Sequence, residues 1–305
     1  MPELDSAVLT ERVLQLVRTP LFASGLLPGQ LETLAAAGRE VAYSRRTVVV
    51  PEGQRPTALY VALAGRLRAL RDGEPVPGDP VAQFFGGLGV PTEYSSVADI
   101  VAEPGTILFI LDEEAVRSML EENSSFGRHM LQLASNRVLD MRARESFGSE
   151  VSVRIEGART ESLDVVGRML LIRDALHLPS RNLAVLAHLA RAADVRRAAG
   201  GAALFDGGQA PSDVWVVVRG TVQLCHAGAA PSMARAGRAL GLVEAVAGRP
   251  MPCPGTAVTD VVCLVVSNAE LHEAIEDHDE FCIDLLMKVG FELQRRTFPF
   301  AFANA

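Results

Sequence analysis

Aromatic residues make up only 5% of this 305-residue chain, with one Trp and three Tyr, so its core must be packed mostly from aliphatic side chains. Lysine is nearly missing: of 29 basic residues, only Lys288 is not Arg. With abundant Ala and Gly, that bias points to GC-rich bacterial coding. No Lys/Arg cluster exceeds a pair, and 37 acidic residues leave a net charge of −8. This balance argues against a protein that neutralises nucleic-acid phosphates or lies on an anionic membrane surface. Long apolar runs are absent too; Val261 to Val266 is far short of the roughly 20 residues that cross a bilayer. The start, Met1-Pro2-Glu3-Leu4-Asp5, is acidic and has no signal-type apolar core, so the cytoplasm is the expected location. The four cysteines (Cys225, Cys253, Cys263, Cys282) form no CxxC pair, and the six histidines (His129, His177, His188, His226, His272, His278) show no ligand spacing. Buried free thiols and ordinary histidines are expected, with no metal and no cofactor.

What the chain does have is apolar material, 49% of residues with a mean hydropathy of +0.20, and length enough for two domains. It also repeats itself. Pro51 to Gly65 (PEGQRPTALYVALAG) aligns with Asp206 to Gly220 (DGGQAPSDVWVVVRG). Gly53, Gln54, Pro56, Tyr60, Val61 and Gly65 fall on Gly208, Gln209, Pro211, Trp215, Val216 and Gly220, always 155 residues on. The same offset carries Gly86 onto Gly241, Ala102 onto Ala257, Phe126 onto Phe281 and Leu131 onto Leu286. A period this long means two globular copies rather than a solenoid.

Each copy opens with an amphipathic helical stretch (Leu27, Leu31, Leu34; Leu178, Leu183, Leu186). Short β-type runs follow: Thr47–Val50, Ala58–Leu63, Arg66–Leu70 and Ile107–Leu111, then Ala203–Phe205, Val214–Val218, Thr221–Leu224 and Val261–Val266. Asp72-Gly73 is a hairpin signal. Helices close each copy, over Glu113–Leu120 and Phe126–Arg144 and over Ala269–Ile275 and Phe281–Arg296. Between the copies, Val151, Val153 and Ile155 alternate as a short strand would, and a helix with Leu163, Val166, Met169 and Leu170 on one face is expected next. The fold class is mainly β with flanking α: two β-jelly-roll domains in tandem, 1–146 and 161–305, joined by a linker at 147–160.

Three features in each copy resemble the cyclic-nucleotide-binding domain of catabolite-regulator-type proteins and of protein kinase A regulatory subunits. These are two glycines twelve residues apart with Leu59-Tyr60-Val61 or Val214-Trp215-Val216 before the second, the Phe85-Gly86 or Leu240-Gly241 step, and Ala102 or Ala257 ahead of a β run. The resemblance covers about 20–146 and 170–297. It implies a cassette of the form Phe-Gly-Glu-hydrophobic-Ala followed by Pro-Arg-x-Ala. In that cassette a short helix offers N–H groups to the cyclic phosphate, the Arg pairs with the phosphate and the Glu takes the ribose hydroxyl.

In this chain both charged residues are replaced in both copies. In the second, Leu240 to Met251 overlays the pattern without a gap: Gly241 and Pro250 are kept, Leu242 stands at the Glu position and Met251 at the Arg position. In the first, Phe85-Gly86-Gly87 puts Gly87 at the Glu position, and the offset of 155 puts Ser96 at the Arg position. A charge-assisted hydrogen bond is worth roughly 1.5–3 kcal/mol, so losing both removes about 4–6 kcal/mol, or three to four decades of affinity. Arg249, two residues before Met251, is read as an exposed turn residue rather than a substitute phosphate ligand, and Glu244 as a solvated face residue.

The chain shows no nucleophile–base constellation and no P-loop, and it ends about ten residues after the last closing helix, where a catabolite regulator would carry its DNA-reading module. The expected protein is therefore a non-enzymatic regulatory or scaffold protein with two degenerate cassettes, weak for cAMP and cGMP. The alternative is a sensor of a cyclic mono- or dinucleotide that keeps one working pocket. The expected partner is another protein, a second copy of this chain included. Apolar stripes along Phe126, Met130, Leu133, Val138 and Met141, and along Phe281, Leu285, Val289 and Leu293, would pair subunits or pack within the chain. In Phe298-Pro299-Phe300-Ala301-Phe302 three rings alternate; that tail either folds back on its own domain or docks on a partner.

Overall fold

Short β-branched runs separated by left-handed glycines build two sandwiches of the same design. The computed structural model describes residues 6–19, 22, 26–76, 84–86, 95–144, 163–179, 182–208, 212–225 and 231–297. The first copy runs α1 (Ser6–Arg18), α2 (Pro28–Ala37), β1 (Arg39–Tyr43), β2 (Thr47–Val50), β3 (Ala58–Ala64), β4 (Leu67–Arg71), β5 (Glu74–Pro75), β6 (Phe84–Gly86), β7 (Asp99–Ala102), β8 (Thr106–Asp112), α3 (Glu113–Glu122) and α4 (Ser124–Arg144). The second runs α5 (Val165–Leu176), α6 (Leu183–Ala192), β9 (Asp194–Ala198), β10 (Ala203–Phe205), β11 (Val214–Arg219), β12 (Thr221–Leu224), β13 (Ser232–Arg235), β14 (Ala239–Leu240), α7 (Leu242–Ala247), β15 (Gly255–Ala257), β16 (Val261–Val266), α8 (Asn268–Asp277) and α9 (Asp279–Thr297). The chain forms two compact units, Met1–Met130 with Gly290–Ala305, and Leu131–Val289.

The repeat is structural as well as sequential: α2, β1 and α3 recur as α6, β9 and α8 with both ends shifted by 155 residues. In the first unit, sheets ordered β1-β8-β3-β6 and β2-β7-β4-β5 enclose Val50, Tyr60, Leu67, Ile100, Leu108 and Ile110. In the second, sheets β14-β11-β16-β9 and β10-β15-β12-β13 enclose Val217, Val222, Met251, Cys253, Cys263 and Val265. Every recorded pairing is antiparallel, so the expected tandem sandwiches with closing helices are present. The Asp72-Gly73 signal is a tight hairpin with both residues at positive φ, 52° and 82°, joining β4 to β5. Closing helices start where the sequence supplies caps: Asp112 accepts from Ala115 N, and Ser267 from Glu270 N.

An arginine in the opening helix of each copy performs one task twice. Arg12 Nη1 donates to the carbonyls of Ala35 and Gly38, and Arg168 Nη1 donates to those of Ala190 and Ala193, the same two positions 155 residues later. Each guanidinium thus satisfies open carbonyls at the end of the second helix. The opening helices therefore correspond at an offset of 156, one residue more than the rest.

Some expectations are corrected. The stripe Val166, Met169, Leu170 does not face the core: Val166 is 63% exposed, and Gly167, Leu171, Ile172, Ala175 and Leu176 are buried instead. The core face lies about one residue farther round the helix. The stripes of α4 and α9 are largely covered within the single chain, with Phe126, Met130, Val138, Phe281, Leu285 and Val289 all buried. Three cysteines are buried, but Cys225, just past β12, is exposed. The possible linker 147–160 with its alternating Val151, Val153 and Ile155, and the tail Phe298–Phe302, lie outside the described residues.

Gly86 and Gly241 hold φ of +106° and +80°, and a Cβ on either would overlap a backbone oxygen, that of Ala58 or its repeat mate Asp213. Gly53 has φ +79° but open space around it. Gly241→Ala is expected to cost about 2–4 kcal/mol from strain plus overlap, and Gly53→Ala about 1 kcal/mol from strain alone, in urea unfolding. Equal losses would count against the close approach. Burial pushes the Cys263 thiol up to about 11. At pH 8 a thiol-reactive dye should label Cys225 alone in the native protein and all four cysteines in urea; prompt native labelling of a second thiol would contradict the buried core.

Candidate functional site

The second cassette is built from a strand end, a one-and-a-half-turn helix and a return loop. Leu240 pairs with Trp215, and the chain turns at Gly241 in the left-handed region into α7. It leaves through Gly248, again left-handed at φ 65°. All six residues of α7 are buried. Its last carbonyls are pinned by the start of α8: Asn268 Nδ2 donates to Ala245 O at 2.9 Å, and His272 Nε2 lies 3.2 Å from the same oxygen.

The two positions that should be charged are apolar and inside. Leu242 and Met251 are each 6% exposed, and Met251 belongs to the core cluster with Leu240, Cys253, Cys263 and Val265. A Cβ on Gly241 would come within 3.2 Å of Met251 Sδ, so the thioether lies over the start of the cassette. An arginine here would have to bury its guanidinium among these apolar groups.

In the first copy, Phe85 is half-buried against the sandwich core and pairs with Tyr60, and Gly86 makes the turn. Gly87 lies outside the described residues. Ser96 is buried and its groups are used within the chain: Oγ donates to Ala98 O at 2.6 Å and N to Gln54 O at 2.8 Å. Ser96 O accepts from Gly53 N at 2.7 Å, and Met251 O accepts from Gly208 N at 2.9 Å. Both partners are 155 residues apart, so Ser96 and Met251 occupy the same place in the two copies.

Glu244 corrects the sequence reading. It is 5% exposed rather than solvated, and its Oε1 accepts from Arg142 Nη1 at 3.0 Å. Arg249 stands half-exposed, as expected, but it is engaged: Nη1 lies 3.0 Å from Asp140 Oδ1, and its N–H donates to Glu244 O. Alternating acid and base two residues apart on α4 therefore meet base and acid five residues apart around α7. No short-range signal marks a pairing across 102 and 109 residues.

Sequence spacing also missed a group on α6 and α8. One ligand atom from each of His188, Glu270 and Glu273 lies within 4.8 Å of the others, the one such group of three among the described residues. The first copy has Thr33, Ala115 and Ser118 at these positions. All three side chains are at least partly exposed, and His188 already meets Glu270 at 3.1 Å.

No protein-family model matches the chain, and no curated protein is similar to it. Among solved structures, the regulatory subunit of a cAMP-independent protein kinase A from Trypanosoma brucei is 17% identical over 95% of this chain and 92% of that one, with a TM-score of 0.35. The regulatory domain of Toxoplasma gondii protein kinase A with cAMP is 15% identical over 90% and 96%, TM-score 0.32. A cyclic nucleotide-binding-like protein from Brucella abortus is 20% identical over 36% and 97%, TM-score 0.32. At these scores the neighbours carry no weight for what this chain binds, which has to be read from its own cassettes.

Removing one partner of a fully buried ion pair costs about 3–5 kcal/mol. Arg142 is 24% exposed, so Glu244→Leu is expected to cost about 2–3 kcal/mol. Adding Arg142→Leu should recover part of that loss in urea unfolding. Strictly additive single losses would show that the pair contributes nothing.

Proposed function

We propose that this protein is a non-enzymatic regulatory protein that acts through contact with another protein, and that neither cassette holds a cyclic nucleotide at signalling concentrations. One observation carries this reading: Met251, at the place where the resemblance calls for a phosphate-binding Arg, is buried in the sandwich core with its sulfur over Gly241. The cyclic phosphate would meet a thioether and the Leu242 side chain, and about 4–6 kcal/mol of charge-assisted contact would be lost. The nearest arginine in sequence, Arg249, is held by Asp140. In the first copy the Ser96 hydroxyl, the only polar side-chain group at that position, donates to Ala98 O.

Contact with a protein fits what the surface offers. Val166, Leu170 and Leu183 stand exposed on α5 and α6, apolar area that a partner protein would cover. The test is isothermal titration calorimetry of the full chain with cAMP and with cGMP. No dissociation constant below about 100 µM is expected. A micromolar isotherm with a stoichiometry of one or two would overturn the reading.

A further inference from the structure

The opening helices, aligned by their capping arginines Arg12 and Arg168, differ in what they lay on the sheet. In the second copy, Leu171, Ile172 and Ala175 are buried on the inward face of α5. The corresponding residues of α1 are Gln15, Leu16 and Thr19, and only Leu16 is an apolar match. Where the second copy has Leu171, the first has an amide, and beside that amide the first copy has a cavity. Its volume is about 460 Å³, and it is lined by Gln15, Arg18 and Thr19 from α1, by Val61 to Gly65 at the end of β3, and by Phe84 and Ile107.

The walls sort by chemistry. The β3 side is aliphatic, closed by the Phe84 ring and Ile107, and it contains a bulge: Ala62 pairs with Leu108 and Ala64 with Ile107, so Leu63 has no register partner. The α1 side carries an amide, a hydroxyl and one positive charge. Among the described residues Arg18 pairs with no carboxylate and none lines the cavity. It also sits in the last turn of α1, where a cation is favoured by the helix carbonyls. The volume falls in the ~300–1,000 Å³ range of small-molecule sites, and the lining, about as polar as it is apolar, suits a ligand with one polar end and one apolar end. Simple loss of packing would leave an apolar void, whereas here polar residues replace the filling side chains.

We propose that this cavity, on the face of the β1-β8-β3-β6 sheet that α1 covers, binds a small amphipathic monoanion: a carboxylate held by Arg18 and Gln15 with an aliphatic or aromatic body against Val61, Phe84 and Ile107. The site is independent of the two cassettes, so its success or failure does not bear on cyclic-nucleotide binding. Neutral ligands of the same length lack the contact to Arg18 and bind more weakly.

Calorimetry of the full chain with sodium decanoate, below its micellar range, tests the assignment, with decanol as the uncharged control. Saturable one-to-one binding is expected with a dissociation constant below about 100 µM, and about tenfold weaker for decanol. Arg18→Gln should weaken decanoate binding about tenfold while leaving decanol unchanged. Gln15→Leu, which copies Leu171 of the second repeat, should abolish binding of both and leave the thermal midpoint equal or higher, so lost binding cannot be attributed to unfolding. Absence of saturable decanoate binding at 1 mM overturns the proposal (on the order of 4 kcal/mol of affinity or less). Binding that survives Gln15→Leu, or that does not distinguish decanoate from decanol, overturns it as well.

Discussion

A backbone oxygen that leaves no room for a side chain organises each copy. Ala58 O and Asp213 O face Gly86 and Gly241 so closely that a Cβ cannot be placed, and both glycines hold φ in the left-handed region. The constraint locates the point at which the edge strand of one sheet, β6 or β14, ends and the cassette begins. In the second copy everything downstream depends on it: α7 starts in the next residue, its carbonyls reach Asn268 and His272, and the return loop delivers Met251 to the core. The turn, the short helix and the return loop thus form one connected unit, with the apolar side chains of Leu242 and Met251 buried inside it.

The interior of the second sandwich shows how the return loop is packed. Met251, Cys253 and Cys263 bring three sulfurs into one aliphatic cluster, with Trp215 and Phe205 packed at its side, their ring centroids 5.3 Å apart. A flexible thioether fills irregular space well, and Met251 brings no charge into the cluster whose burial would have to be offset. Around the outside of the cassette the charged side chains are paired: Glu244 with Arg142 and Arg249 with Asp140 join α7 and its loop to α4. A ligand-binding cassette is mobile in proportion to how few such ties it has, and this one is tied at both ends of its helix.

The frame was legible in the sequence because its determinants are local. Strands Thr47–Val50, Ala203–Phe205, Thr221–Leu224 and Val261–Val266 end where turn residues end them, and the Asp72-Gly73 hairpin needs only two residues at positive φ. The offset of 155 was legible because the shared glycines answer to backbone geometry that neither copy can alter. The Ser96 position followed from the same offset, and the Gly53–Ser96 and Gly208–Met251 hydrogen bonds share that spacing. What could not be read were pairings between distant segments. Glu244 looks like a solvated residue on a short helix because its partner is 102 residues away. Which stripe of α5 faces inward depends on one residue of rotation, and Val166 and Leu170 are as apolar as the Leu171 and Ile172 that are buried.

The two copies differ most at positions that the shared backbone frame does not constrain. Residues that define the frame, such as the capping arginines and the left-handed glycines Gly53, Gly65 and Gly86 with Gly208, Gly220 and Gly241, are held in both. Some core residues are shared as well, Phe126 with Phe281 and Leu131 with Leu286, but others differ. The first copy keeps Gln15 and a cavity where the second has Leu171, and the second has His188, Glu270 and Glu273 where the first has Thr33, Ala115 and Ser118. A substitution at a frame position costs several kcal/mol in backbone strain and overlap, a large share of the roughly 5–15 kcal/mol that holds a domain together. A substitution beside a void or on a half-exposed helix face costs a fraction of that. The two copies therefore share the backbone constraints of the frame and differ in the chemistry of the faces that the frame leaves unspecified.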